Sequence, residues 1–185
     1  MTIEPPSGSV PPKAVPGLQA SAAAASYNYS AMVRYADKYW KTPSDDWRTY
    51  GNDCTNFISQ VMWAGGWRAT SGSVMSRKDN RKWFYGSHAW NTSYTWAGAE
   101  NWYWFALKHS KRTKFLDNVR KLALADVLQA NWRPRSDNVI DHTMVVTKVY
   151  RGTHYLTYHT GNTHNKSLRK LLADHPNAAW YAHRT

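Results

Sequence analysis

From Leu122 to the end of the chain the apolar residues stop recurring every three or four positions and begin to alternate every two. That change of period limits the possible folds more than any other feature of the sequence. The segments LALADVLQANW (122–132), HTMVVTKVY (142–150), THYLTYHT (153–160) and AAWYAHRT (178–185) read as strands. Arg151-Gly152, between the second and third, suits a tight hairpin turn. Upstream the spacing is helical. Met32, Val33, Ala36, Tyr39 and Trp40 fall on one face, with Ser30 as N-cap and Pro43 ending the run. A second helix begins at Cys54, carries Phe57, Ile58, Val61 and Met62, and stops at Gly65-Gly66, with Asp53 or Asn52 as its cap. Asn101 to Lys108 reads as a third, aromatic helix, and residues 67–97 as long connections over one side. Helices first and an antiparallel meander second is an α+β layout.

At 185 residues the chain holds one domain with a single core. The domain is expected over 27–185. Residues 1–26 carry five prolines among Gly, Ser and Ala and read as a flexible arm or linker. They lack the basic and apolar regions of a signal peptide, and no stretch reaches the ~20 apolar residues of a membrane span. The net charge of +12 draws the chain toward polyanions, whether nucleic acid, anionic membrane or acidic cell wall, without choosing among them. With a single cysteine, an internal disulfide is impossible and a cysteine-based zinc site is disfavoured. No metal or other cofactor is expected.

That lone cysteine sits in GNDCTNFISQ, at the start of a helix. A thiol there faces unpaired amides and the positive end of the helix dipole, which favours the thiolate a nucleophile needs. The competing reading is that Cys54 continues the apolar stripe of Phe57, Ile58 and Val61. His142 opens a strand, where the sheet would hold an imidazole rigidly at a cleft as a general base. A solvated strand-end histidine is the bland alternative. Asp141 is expected on the opposite face of that strand. A third, orienting group belongs on the next strand, where His159 is favoured over Asn162. The amide of Cys54, helped by Asp53 or Asn56, would stabilise an oxyanion, although Asn56 also reads as a structural residue. Trp83, Trp90, Trp96, Trp102 and Trp104 are candidates for the wall of a substrate groove, although for any single one of them the core is the better reading.

The combination of NDCTNFISQVMWAGGW, LADVLQANW, DHTMVVTKV and YLTYHTGNT resembles the putative amidase domain family of Gram-positive bacteria, over about Tyr27 to Thr185. The resemblance implies kinship with the NlpC and CHAP cell-wall peptidases: a papain-like fold with the nucleophile helix packed on an antiparallel sheet. It places Cys54 as nucleophile, His142 as base and His159 as the third polar residue. A Gly-Asp pair common in such families stands here as Ala125-Asp126, which marks a turn for scrutiny.

The leading expectation is a cysteine-nucleophile amidase or peptidase hydrolysing amide bonds of peptidoglycan. The enzyme would be secreted or wall-associated, or delivered as an antibacterial toxin with an immunity or delivery partner. The alternative is a nucleic-acid-targeting toxin domain on the same fold. It is disfavoured because Lys78, Arg81, Lys82, Lys108, Lys111, Arg112 and Lys114 form no clean motif. A wall-binding module without catalysis would need no cysteine–histidine pair.

Overall fold

The computed structural model describes residues 27–185. The expected arm at 1–26 lies outside the described residues. The fold is α+β. Five helices, α1 (Tyr29–Tyr39), α2 (Cys54–Ala64), α3 (Tyr94–Ala97), α4 (Ala99–Tyr103) and α5 (Leu168–Asp174), pack on six strands. These are β1 (Lys114–Leu116), β2 (Val127–Asn131), β3 (His142–Tyr150), β4 (Thr153–Tyr158), β5 (Thr163–Ser167) and β6 (Ala179–Arg184). All pair antiparallel, in the order β1-β6-β2-β3-β4-β5. The expected meander holds from β2 to β4 and continues into β5, but β6, the expected fourth strand, returns to pair with β2 and separates it from β1. Strand alternation marks a strand without marking its partner, so that order comes from tertiary contacts.

Helix α2 is the centre of the molecule. Every residue from Cys54 to Met62 is buried, because its sheet-facing side meets Val127 and Val145 while its other sides meet α1 and a cluster of tryptophans. Gly65 ends it where Met32 of α1 passes: a Cβ there would meet the Met32 Cε at 2.2 Å. The opposite face of the sheet carries Leu128, Met144, Val146 and Leu156 under α5 and its Leu168 and Leu171. Alternation along β3 therefore sends Val145 toward α2 and Met144 and Val146 toward α5.

Several local expectations change. Asn28, not Ser30, caps α1, its side chain accepting from the Ala31 amide at 2.9 Å. The strand expected from Leu122 begins at Val127, because the Asp126 carboxylate bonds back to the Ala123 amide at 2.7 Å and closes a turn. Ala125 in that turn has φ +66°, the left-handed conformation that favours the glycine of the family pattern. Arg151 and Gly152 both have positive φ, 47° and 73°, as the expected hairpin requires. The aromatic third helix starts at Ala99 and continues past Tyr103 as a π-helical turn over Trp104–His109. Strands β1 and β5 and helix α5 were not expected. Leu168, Leu171 and Leu172 carry the helical spacing that could have revealed α5.

Candidate functional site

The start of α2 lies against the first residues of β3. The Cys54 side chain is 2% exposed. Its Sγ lies 3.6 Å from Asn52 Oδ1, 3.6 Å from Thr55 Oγ1 and 3.9 Å from the Asp141 carbonyl. Beneath it Thr55 Oγ1 meets Thr143 Oγ1 at 2.9 Å, and Gln129 Nε2 donates to the same Thr143 oxygen at 3.0 Å. Burial pushes the thiol above its ordinary pKa, against hydrogen bonds from the Thr55 side chain and the Thr143 backbone that favour the thiolate. In this arrangement Cys54 is a protonated, covered thiol.

His142 is not part of that constellation. Thr143 faces α2, so its neighbour His142 faces the other side of the sheet. There its ring packs at 4.9 Å from Tyr158 and 5.6 Å from Trp132. No hydrogen bond joins it to Cys54 among the described residues. Burial first, and then nearby His175, lower its pKa to about 4. The expected contact between the Cys54 sulfur and a His142 nitrogen is therefore absent. The cause is strand parity: a one-residue step reverses the face.

His159, unlike His142, shares the face of α2. It lies two residues beyond Thr157, which pairs with Val145, and its ring stacks on Phe57 at 3.9 Å. Its Nδ1 donates to Asp53 Oδ2 at 2.7 Å and its Nε2 reaches the Tyr39 carbonyl at 2.8 Å. The other Asp53 oxygen accepts from the Tyr50 amide at 2.9 Å and from Asn56 Nδ2 at 2.8 Å. Asp53 is the N-cap residue of α2, yet its carboxylate bonds no backbone amide of that helix. It acts as a hub joining the turn before Cys54 to His159.

The expected supporting roles divide. The Asp53 amide is occupied by Thr160 Oγ1 at 3.2 Å. Asn56 spends its side chain on Arg48 O, Asp53 and Trp96 Nε1. Neither is free to stabilise an oxyanion, which leaves the first-turn amides of α2 for that task. Asn162 occupies a left-handed turn position (φ 40°) and makes no contact with His142. Trp83, Trp96 and Trp102 are fully buried in the core, stacked with Phe105, with Trp47 and with Trp67 respectively, and do not wall a groove. Trp104 donates to Glu100 at 2.6 Å. Only Trp90 of the five is exposed.

Tyr39, Thr143 and Thr160 belong to the site and were not singled out from the sequence. The TYHT that ends β4 names Thr160 beside His159, but nothing in a helix's last residue marks Tyr39 as a carbonyl partner. Among the described residues no group of three or more His, Cys, Asp or Glu side chains could hold a metal ion, and no helix is long and apolar enough to cross a membrane.

A family model described as "Putative amidase domain" matches residues 26–183. Among curated proteins, the chain is 27% identical over 128 residues to "Uncharacterized protein YhbB" of Bacillus subtilis (strain 168), covering 68% of this chain and 39% of that protein. It is 28% identical over 145 residues to "Uncharacterized protein YjcM" of the same organism, covering 75% of this chain and 32% of that protein. The chain thus spans well under half the length of either relative. No solved structure gave a significant match.

Proposed function

The chain belongs to the putative amidase domain family, and we propose that it hydrolyses amide bonds with Cys54 as nucleophile and His159, positioned by Asp53, as base. The single observation that carries this reading is the buried 2.7 Å bond between His159 and the residue immediately before the only cysteine. A carboxylate bonded to Nδ1 holds an imidazole so that Nε2 can take a proton. Here Nε2 rests on the Tyr39 carbonyl. Catalysis requires the ring to leave that oxygen, to give up to water the Nε2 proton it donates there, and to turn the bare nitrogen to the thiol, with substrate displacing the cover over Cys54.

The steps follow. Nε2 removes the thiol proton and Sγ attacks the amide carbonyl, forming a tetrahedral oxyanion at the first-turn amides of α2. The imidazolium returns its proton to the leaving amine as the C–N bond breaks. Water, deprotonated by the same nitrogen, then hydrolyses the thioester and restores the thiol. The scaffold for this is papain-like: a nucleophile helix against an antiparallel sheet. Peptidoglycan is the substrate class, since a +12 chain would concentrate on a polyanionic wall. The setting is secreted or wall-associated, with delivery as an antibacterial toxin against an immunity partner as one form of it.

Mass spectrometry of purified peptidoglycan after incubation tests the assignment. Cys54→Ala and His159→Ala should each abolish release of fragments while circular dichroism stays native, and His142→Ala should retain activity. Undiminished hydrolysis by the Cys54 variant refutes the nucleophile. Loss with His142→Ala but not with His159→Ala refutes the base.

A further inference from the structure

A cleft of about 530 Å³ opens between the segments around residues 70–74 and 84–91, and the proposed reaction uses none of its lining. Thr70, Ser71, Ser73, Phe84, Tyr85 and Trp90 line it, with Gly72, Val74, Gly86 and Asn91 completing the wall. No charged side chain is among them, in a chain of net charge +12. Two features make it a built surface. Gly72 crosses directly over the Phe84 ring, where a Cβ would come within 2.2 Å, and Gly86 crosses Asn91 as closely. Trp90, 54% exposed, is stacked by His88 at 5.5 Å and 17°, which supports an indole that the core does not need. The Ser71 hydroxyl has no hydrogen-bond partner among the described residues.

We propose that this cleft binds an uncharged N-acetylated sugar unit, with the sugar's C–H face on Trp90 and its hydroxyls and amide on Ser71, Ser73 and Tyr85. Flat aromatic surface beside neutral donors and acceptors matches a ligand that is apolar on its faces and polar at its edges. The guanidinium nearest the wall, Arg48 over the Tyr85 ring at 4.2 Å, is spent on Gly86 O and Thr92 Oγ1, and no lining side chain is charged, which disfavours an anionic or cationic ligand. The cleft is also fastened to the nucleophile's turn. Arg48 donates through its amide to the Tyr85 hydroxyl at 2.7 Å and through its guanidinium to Gly86 O at 2.7 Å and Thr92 Oγ1 at 2.8 Å, and its own carbonyl accepts from Asn56 at 2.9 Å. A sugar held there would place its attached chain near the segment leading into Cys54. The choice of a wall glycan rests on the amide-hydrolase reading. The existence of a sugar site does not.

The test is calorimetric titration of the whole chain with tetra-N-acetylchitotetraose, with tetra-alanine as the peptide control. The tetrasaccharide should bind the native protein and Cys54→Ala equally. Binding should weaken by about tenfold or more with Trp90→Ala and recover in part with Trp90→Tyr. No saccharide binding, equal binding by Trp90→Ala, or Trp90-dependent binding of tetra-alanine in place of the sugar overturns the proposal. Saccharide binding without any hydrolysis of peptidoglycan would sink the enzymatic reading and leave the sugar site standing. Hydrolysis without saccharide binding would do the reverse.

Discussion

Replacing His142 with phenylalanine separates two accounts of this residue, and the magnitude can be worked from its surroundings. The ring is 5% exposed and packed between Trp132 and Tyr158, with His175 nearby. Its pKa falls from 6.5 to about 4. Below pH 6.5 the unfolded chain binds a proton at this site that the folded chain refuses, so stability falls as pH falls and the loss is complete below the folded value. That difference corresponds to about 3 kcal/mol, of which roughly half is lost between pH 7 and pH 5. Phenylalanine keeps an aromatic ring among those neighbours and cannot take the proton. Urea unfolding followed by tryptophan fluorescence at pH 7 and pH 5 should therefore show the native protein losing about 2 kcal/mol more than His142→Phe. Contributions from groups that do not face His142 are common to both proteins and cancel in the comparison. Equal losses would mean that His142 is charged or solvated in the folded state, and the packing account would fail. Retained amide hydrolysis by His142→Phe is the functional counterpart, since a ring on the far face of the sheet cannot serve Cys54.

Asp53→Asn should cost about 2–4 kcal/mol in urea unfolding. The new amide group would oppose one of the three donors now served by the carboxylate, Tyr50 N, Asn56 Nδ2 and His159 Nδ1. A cost below ~1 kcal/mol would show that the hub is not holding the turn. Iodoacetamide at pH 7 should alkylate native Cys54 more slowly than a free cysteine, because burial raises its pKa and covers it. Rates faster than the free amino acid, followed by mass spectrometry, would contradict the closed geometry. Arg151→Asn should stabilise the β3–β4 hairpin by about 0.5–1 kcal/mol, because Arg151 is exposed with φ +47° and asparagine tolerates that conformation better. A lower thermal midpoint would refute the turn assignment.

Local rules made much of the fold legible. The helical run after Cys54, its stop at Gly65-Gly66, the strand at 142–150 and the positive-φ hairpin at Arg151-Gly152 each follow from side-chain period and backbone preference within a few residues. Cys54 at a helix start was equally readable, because capping residues and the first apolar turn announce it. The α+β class followed from the change of period.

What tertiary structure decided was which residues meet. The insertion of β6 between β1 and β2 depends on pairing across 48 to 70 residues, which alternation cannot encode. An indole suits a groove wall as well as a core, so the sequence favours the core for any single tryptophan without saying which ones lie there. Only the packing of Trp83, Trp96 and Trp102 around α2 and α4 assigns them to the core. The exchange of His142 for His159 has the same origin. Both lie near strand ends with polar neighbours, and sequence alone ranks the earlier one as base. Strand parity, anchored by Val145 against α2 and by Thr143 under Thr55, turns His142 toward α5 and His159 toward Phe57 and Asp53 at the start of α2. Period tells a chain that its strands have two faces. Only the helix that covers one of them says which face holds the chemistry.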